Sequence, residues 1–268
     1  MAKINLTDTL RREYETLFNY CRIQPGNEKT VNDIVEKLKA NKDRYQNAGT
    51  PLGIPWAFIA VIHNMESSLS FSKHLHNGDP LTARTKLVPA GRPLKGNPPF
   101  TWEESAMDAL SMRGIGAGTD WSLAGTLYQI EGYNGWGYRL YHTHVKSPYL
   151  WGLSNHYTSG KYVADGSWSD TAVSKQCGAA LLLRRMAETG IIDFIDQPVP
   201  AANDKPLIVS LHRQKPADPA ILKSAEELQT WLNTFPGIFV KPDGWPGEKT
   251  SEAFKKVTGI YLPGDPRK

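Results

Sequence analysis

The residues best suited to chemistry lie in VIHNMESSLSF, residues 61–71. The preceding run, PWAFIAVIHNM, puts Trp56, Phe58, Ile59, Ala60, Val61 and Ile62 on every face of a helix. A helix that is apolar all round belongs inside a domain. The carboxylate at its exit, Glu66, is then either paired or poised to hold a proton. Burial disfavours the anion and raises the pKa, and the negative end of the helix dipole adds to the effect. A carboxyl group still protonated near neutral pH is a general acid. The alternative is a glutamate that turns to solvent or pairs with Arg84 or Arg92.

Acid-catalysed cleavage of a glycosidic bond commonly uses a second carboxylate near the opposite face of the sugar. Asp79, in HLHNGDPL, is the candidate. The Asn77-Gly78 pair is a strong hairpin signal and predicts a small, irregular β-hairpin at about 69–90, which could carry Asp79 across a cleft. Asp before Pro80 is also ordinary turn chemistry, and both readings stand. His74 and His76 would share one face of a strand and read as polar cleft lining, with His76 a substrate contact. No further ligand follows at metal spacing, so neither a metal site nor a cofactor is expected.

The stretch IEGYNGWGYRLYH, 130–142, holds three glycines and four aromatics and does not read as a regular helix. Glycine lets backbone approach a ligand closely, and Tyr133 and Asn134 are the contacts it would offer. SPYLWGLSNHYTSGKY, 147–162, extends the aromatic and polar mixture into a long groove and adds Tyr149 and Tyr157.

These residues need elements to hold them. Leu10, Tyr14, Leu17 and Phe18 mark a helix over 7–22 with Thr7 as its cap. A second covers Glu28–Gln46, with Val31, Ile34, Val35 and Leu38 as its stripe. Pro55 suits the first turn of the buried helix that ends near Glu66. Thr101 and Glu104 form a capping box for a helix ending at Gly114. Further helices are expected in DWSLAGTLYQIEGYNG and along SDTAVSKQCGAALLLRRMAETG. The fold class is therefore α+β, mostly α, with one small β-hairpin insert. Residues 1–192 form the main domain. Residues 193–222, with five prolines, read as a linker. Residues 223–268 read as a small helical module, two short helices around a DGWPG turn.

Composition narrows the classes. With 40% hydrophobic and 22% charged residues, the 268-residue chain is globular and not disordered. A net charge of +4 favours anionic polymers without specifying one. No basic stripe or nucleic-acid motif accompanies it. Cys21 and Cys177 match no metal or redox spacing and read as buried thiols. The N-terminal segment shows no secretory signal, and no run approaches the roughly 18 apolar residues that span a bilayer.

Glu-Ser-Ser-x-x-Phe, Glu66–Phe71, after an apolar helix resembles the catalytic E-S-x-x-F signature of lytic transglycosylases and goose-type lysozymes. GYNG, 132–135, resembles the A-Y-N-A-G element of the same superfamily, with Gly132 in place of the alanine and Trp136 after Gly135. The resemblance covers roughly 50–190. It implies a lysozyme-like fold that cuts the β-1,4 bond between N-acetylmuramic acid and N-acetylglucosamine in peptidoglycan glycan strands. Glu66 would be the general acid, with Tyr133 and Asn134 lining the groove. Asp79 matches no transglycosylase motif: if it acts, hydrolysis is favoured, and if it is a turn residue, a 1,6-anhydro product is plausible. The C-terminal segment is similar to the small peptidoglycan-binding domain in Leu228, Gln229, Leu232, Asn233, Asp243, Gly244, Gly247 and Thr250, with Trp245-Pro246-Gly247 departing from its Phe-Gly-Pro. Together these imply a monomeric muramidase of endolysin type, made in the cytoplasm and acting on the cell wall. The alternatives are a lytic transglycosylase and a wall-binding protein without activity.

Overall fold

The computed structural model describes residues 4–164, 166–194, 208–211, 214–233, 235 and 237–267. The helices are α1 (Asp8–Asn19), α2 (Glu28–Ala40), α3 (Lys42–Gly49), α4 (Trp56–Ser67), α5 (Trp102–Met112), α6 (Leu123–Asn134), α7 (Gly137–Tyr141), α8 (Pro148–Trp151), α9 (Ala179–Glu188), α10 (Pro219–Leu232) and α11 (Glu248–Thr258). Two short antiparallel strands, β1 (Lys161–Ala164) and β2 (Ser167–Ser169), complete the described elements, with Tyr162 opposite Trp168. The protein is mostly helical with a small sheet, the coarse class expected. Among the described residues, no helix is long and apolar enough to cross a membrane.

Helix α4 is central because it can bury every face. Ala57–His63, Met65 and Ser67 are all buried, and the helix packs on α2, α3, α6 and α9. It stops where Ser68 and then Leu69 take positive φ, and the Ser68 amide returns to the His63 carbonyl. Glu66 thus sits on the last turn, where the chain leaves the core. Thr7 caps α1, and Thr101 and Glu104 form the capping box of α5, both as expected.

Four expectations need correction. The segment 69–90 is no hairpin: apart from an isolated bridge between Lys73 and Pro80 it is turns, held around side chains. The sheet forms instead further along the chain, where Lys161–Ala164 pairs antiparallel with Ser167–Ser169. The expected Glu28–Gln46 helix is two, broken at Asn41, whose backbone leaves helical geometry. Residues 130–142 are largely helical: α6 runs through Tyr133 to Asn134, breaks at Gly135 (φ 97°), and α7 follows at once. Gly132 is tolerated within α6 because it makes room for the Trp136 ring. Helix α9 begins only at Ala179, not near Ser169, because Gly178 is pressed against the Leu150 carbonyl, where an added Cβ would lie 2.2 Å from the oxygen.

A second, smaller core gathers Ile208, Ala225, Leu228, Leu232, Val240, Ala253, Phe254 and Leu262. Of the expected linker, 195–207 and 212–213 lie outside the described residues. Ile208–Leu211 already belongs to the C-terminal unit: Ser210 and Leu211 donate backbone hydrogen bonds to Pro263 and Pro246, and α10 starts at Pro219 with Asp218 as cap.

Candidate active site

Glu66 is partly buried, and its Oε1 accepts a hydrogen bond from the Tyr149 hydroxyl at 2.6 Å. Burial raises its pKa; the Tyr149 hydroxyl and the nearby Arg113 cation act against that rise without cancelling it. Tyr149 comes from α8, whose residues are all buried, so the hydroxyl is held by a fixed element. Loss of solvent, with the Glu66 charge beside it, pushes the Tyr149 phenol well above its ordinary pKa, so Tyr149 serves as a donor. Beside it, the Gln176 side-chain amide donates to the Met65 carbonyl at 2.8 Å and ties the loop before α9 to the end of α4.

Tyr149 and Gln176 form part of the wall of a cleft of about 300 Å³, together with Asn134, Gly135, Tyr162 and Ser174. Both side chains that touch the end of α4 therefore face this cleft. Asn134 is exposed in it, while Tyr133 is buried behind. The Arg113 guanidinium lies over the Tyr133 ring, 3.6 Å from its centroid, and donates to the Tyr133 carbonyl at 3.0 Å. Glu66, Arg113, Tyr133 and Tyr149 are mutually coupled electrostatically. One acid, one tyrosine donor, one cation and an open polar cleft can hold and deliver a proton.

A second carboxylate with a raised pKa, Glu131, competes for that role and loses. It is almost fully buried, takes the Tyr14 hydroxyl and the Arg139 guanidinium (2.8 Å), and Arg139 also pairs with Glu13. Its Oε2 takes both of these donors and so joins α1, α6 and α7.

The other expected contacts divide. Asp79 organises its own loop: the carboxylate accepts from the Lys86 amide at 2.8 Å and the Asn77 side chain at 3.0 Å. These hydrogen bonds, the Lys86 amide first, hold its pKa below the usual carboxylate range. His76 is not a cleft residue: its side chain is inaccessible, paired with Asp108 at 2.8 Å. His74 is likewise buried, between Ser105 and the Ala83 carbonyl. Both rings moor the 74–94 loop to α5 because the turns there leave backbone groups that only polar side chains can satisfy. Tyr157 is also buried, its hydroxyl accepting from the Ser174 amide, so it supports the cleft wall from behind. Among the described residues no three His, Cys, Asp or Glu side chains are grouped to hold a metal, and Cys21 and Cys177 are buried free thiols.

Arg113, Gln176 and Tyr162 were not legible as site residues. Each comes from a different element; Gln176 and Tyr162 reach the cleft wall, and Arg113 reaches Tyr133 and the surroundings of Glu66, only through tertiary packing. The chain matches no protein-family model, no curated protein and no solved structure.

Proposed function

We propose that the protein is a peptidoglycan muramidase that cleaves the β-1,4 bond between N-acetylmuramic acid and N-acetylglucosamine, with Glu66 as general acid. The observation that carries the reading is the Glu66 carboxyl: burial raises its pKa, and the Tyr149 hydroxyl that holds it belongs to the wall of an open cleft. In this reading Glu66 gives its proton to the glycosidic oxygen as the bond to the muramoyl C1 breaks, and positive charge spreads over C1 and the ring oxygen. Water then adds at C1 and returns a proton to Glu66, which closes the cycle as a hydrolase. Asp79, if its loop brings it to the sugar, is the carboxylate that would stabilise the cation.

The second reading, a lytic transglycosylase, is favoured by the binding of Asp79 into its own turn. The muramoyl 6-hydroxyl then attacks C1 in place of water and gives a 1,6-anhydro end. Mass spectrometry of fragments released from purified peptidoglycan distinguishes the two. Reducing muramic acid ends, reduced in yield by Asp79→Asn, are the expected result. Anhydro ends, indifferent to Asp79→Asn, would establish the second reading, and no soluble fragments would overturn both.

A further inference from the structure

Among the described residues, the most exposed Leu, Ile or Val side chains are Val88 (90%), Leu87 (70%) and Leu94 (67%). All three lie on the loop between α4 and α5. Apolar side chains scattered singly in water need no account, but a group of them on one short loop does.

The loop is braced from within. Thr85, itself buried, donates its amide to the Arg92 carbonyl at 2.8 Å, and its carbonyl accepts from the Gly91 amide at 2.7 Å. Its hydroxyl donates to the Pro89 carbonyl and accepts from the Arg92 amide at 2.9 Å. The Asp79 carboxylate takes the Lys86 amide at 2.8 Å and the Leu87 amide as well. The Leu94 amide reaches Asp108 at 3.4 Å, and Pro89 and Pro93 have no amide proton to satisfy. Six of the eight amides from 85 to 94 (ten residues less two prolines) are thus bonded inside the protein. Asp79 therefore has a use that turn chemistry alone did not suggest: it holds the base of a loop whose tip, Leu87-Val88, faces water.

The loop is also one-sided in charge. Residues 80–102 carry Arg84, Lys86, Arg92 and Lys95 and no acid. Three acids meet that run from outside it. Asp108 pairs with Arg92 and His76, Asp79 faces the two amides, and Glu104, near Gly96, caps α5 at Thr101. Counting all three leaves one positive charge (4 − 3), with the acids at the base of the loop. Lys86 and Lys95 are exposed, and among the described residues neither has an ion pair.

We propose that this loop docks the protein on the surface of an anionic lipid bilayer, with Leu87 and Val88 entering the interface and Lys86 and Lys95 reaching the headgroups. The proposal does not rest on the wall-degrading reading. An apolar tip can leave water for a bilayer interface only if its backbone is satisfied internally, and this one largely is. A protein partner would be read through about one hydrogen bond per 100–200 Å² of contact. The tip has spent its backbone donors on itself and offers aliphatic side chains and ammonium groups. A bilayer interface uses that combination: apolar area for the acyl boundary and cations for the phosphates. The lysine stems are long enough to keep their charge at the headgroups while the neighbouring aliphatics go deeper.

The test is flotation of the full-length protein with vesicles of phosphatidylglycerol and phosphatidylcholine in equal parts, and with vesicles of phosphatidylcholine alone. Leu87→Ser/Val88→Ser and Lys86→Glu/Lys95→Glu are compared with the parent. The parent should bind the mixed vesicles, and each double variant about tenfold more weakly or worse. The four side chains are exposed and take no part in the bracing, so an unchanged melting temperature is the control for folding. Failure of the parent to bind the mixed vesicles, or parent-level binding by Leu87→Ser/Val88→Ser, would overturn the proposal. Equal binding of the parent to phosphatidylcholine alone would overturn the choice of an anionic surface. Self-association of the parent that Leu87→Ser/Val88→Ser abolishes would give the tip to a second copy of the chain and overturn the proposal too. Each of these results leaves the reading of Glu66 where it stands.

Discussion

At the scale of single residues, Glu66 and Glu131 show how similar burial leads to different work. Burial raises both, but Glu131 is held by Tyr14 and Arg139, whereas Glu66 has one tyrosine donor and a cleft beside it. The Tyr149 hydroxyl stabilises the carboxylate, so Tyr149→Phe should raise the Glu66 pKa further. Activity that needs the protonated acid falls as pH rises through that pKa. The alkaline limb of the pH–rate profile should therefore move to higher pH in Tyr149→Phe, and an unmoved limb would remove Tyr149 from the site. The same shift has a stability sign. A carboxyl whose folded pKa lies above its unfolded value stabilises the fold below the unfolded pKa, and that contribution is lost as pH rises through the folded pKa. Glu66→Gln should then melt at least as high as the parent near pH 8, with any advantage shrinking toward pH 4. Of these residues the sequence exposed Glu66, because a lone acid after an apolar run is a local anomaly. It misassigned His76 and Tyr157, because polarity and aromaticity do not tell a cleft wall from the support behind it.

At the scale of elements, the site depends on how α1, α6 and α7 are joined. Arg139 of α7 bonds Glu131 of α6 and Glu13 of α1, and Lys146 adds a second cation on Glu13 at 2.7 Å. Removing one partner of a buried pair leaves an uncompensated charge. Arg139→Ala should destabilise by about 3 kcal/mol or more near neutral pH. The loss should grow with pH, because Glu131, freed of the cation that lowers its pKa, is held protonated by burial and is costly to ionise. Denaturant titration at pH 5 and pH 8 checks both statements. Capped, periodic helices such as α1 and α5 were readable because their signals are local. The start of α9 was not, since it is set by the contact of Gly178 with Leu150, two segments distant in sequence. The missing hairpin at 69–90 has the same origin: buried His74 and His76 replace a strand ladder with side-chain anchors on α5.

At the scale of the whole molecule, the C-terminal unit is seated on α1. Tyr20 packs against Trp231 (5.7 Å between ring centroids) and Phe254 (6.1 Å), and Arg12 lies over Phe235. The proline-rich composition that suggested a linker says nothing of this contact, which only long-range aromatic packing creates. Tyr20→Ala should loosen the seat at a cost of about 2–4 kcal/mol. Calorimetry should then resolve two transitions where the parent gives one, and a single unshifted transition would show that the contact contributes nothing. If the proposed function holds, the net charge of +4 would assist approach to an anionic polymer.

The most direct test of the account is the release of soluble fragments from purified peptidoglycan by the parent protein and by Glu66→Gln, at equal wall binding and equal folded fraction. The account predicts release by the parent and a loss of about a hundredfold to ten-thousandfold in the variant, the range that general acid catalysis contributes. Release by Glu66→Gln within a few-fold of the parent would contradict it, because the proton would then come from somewhere else.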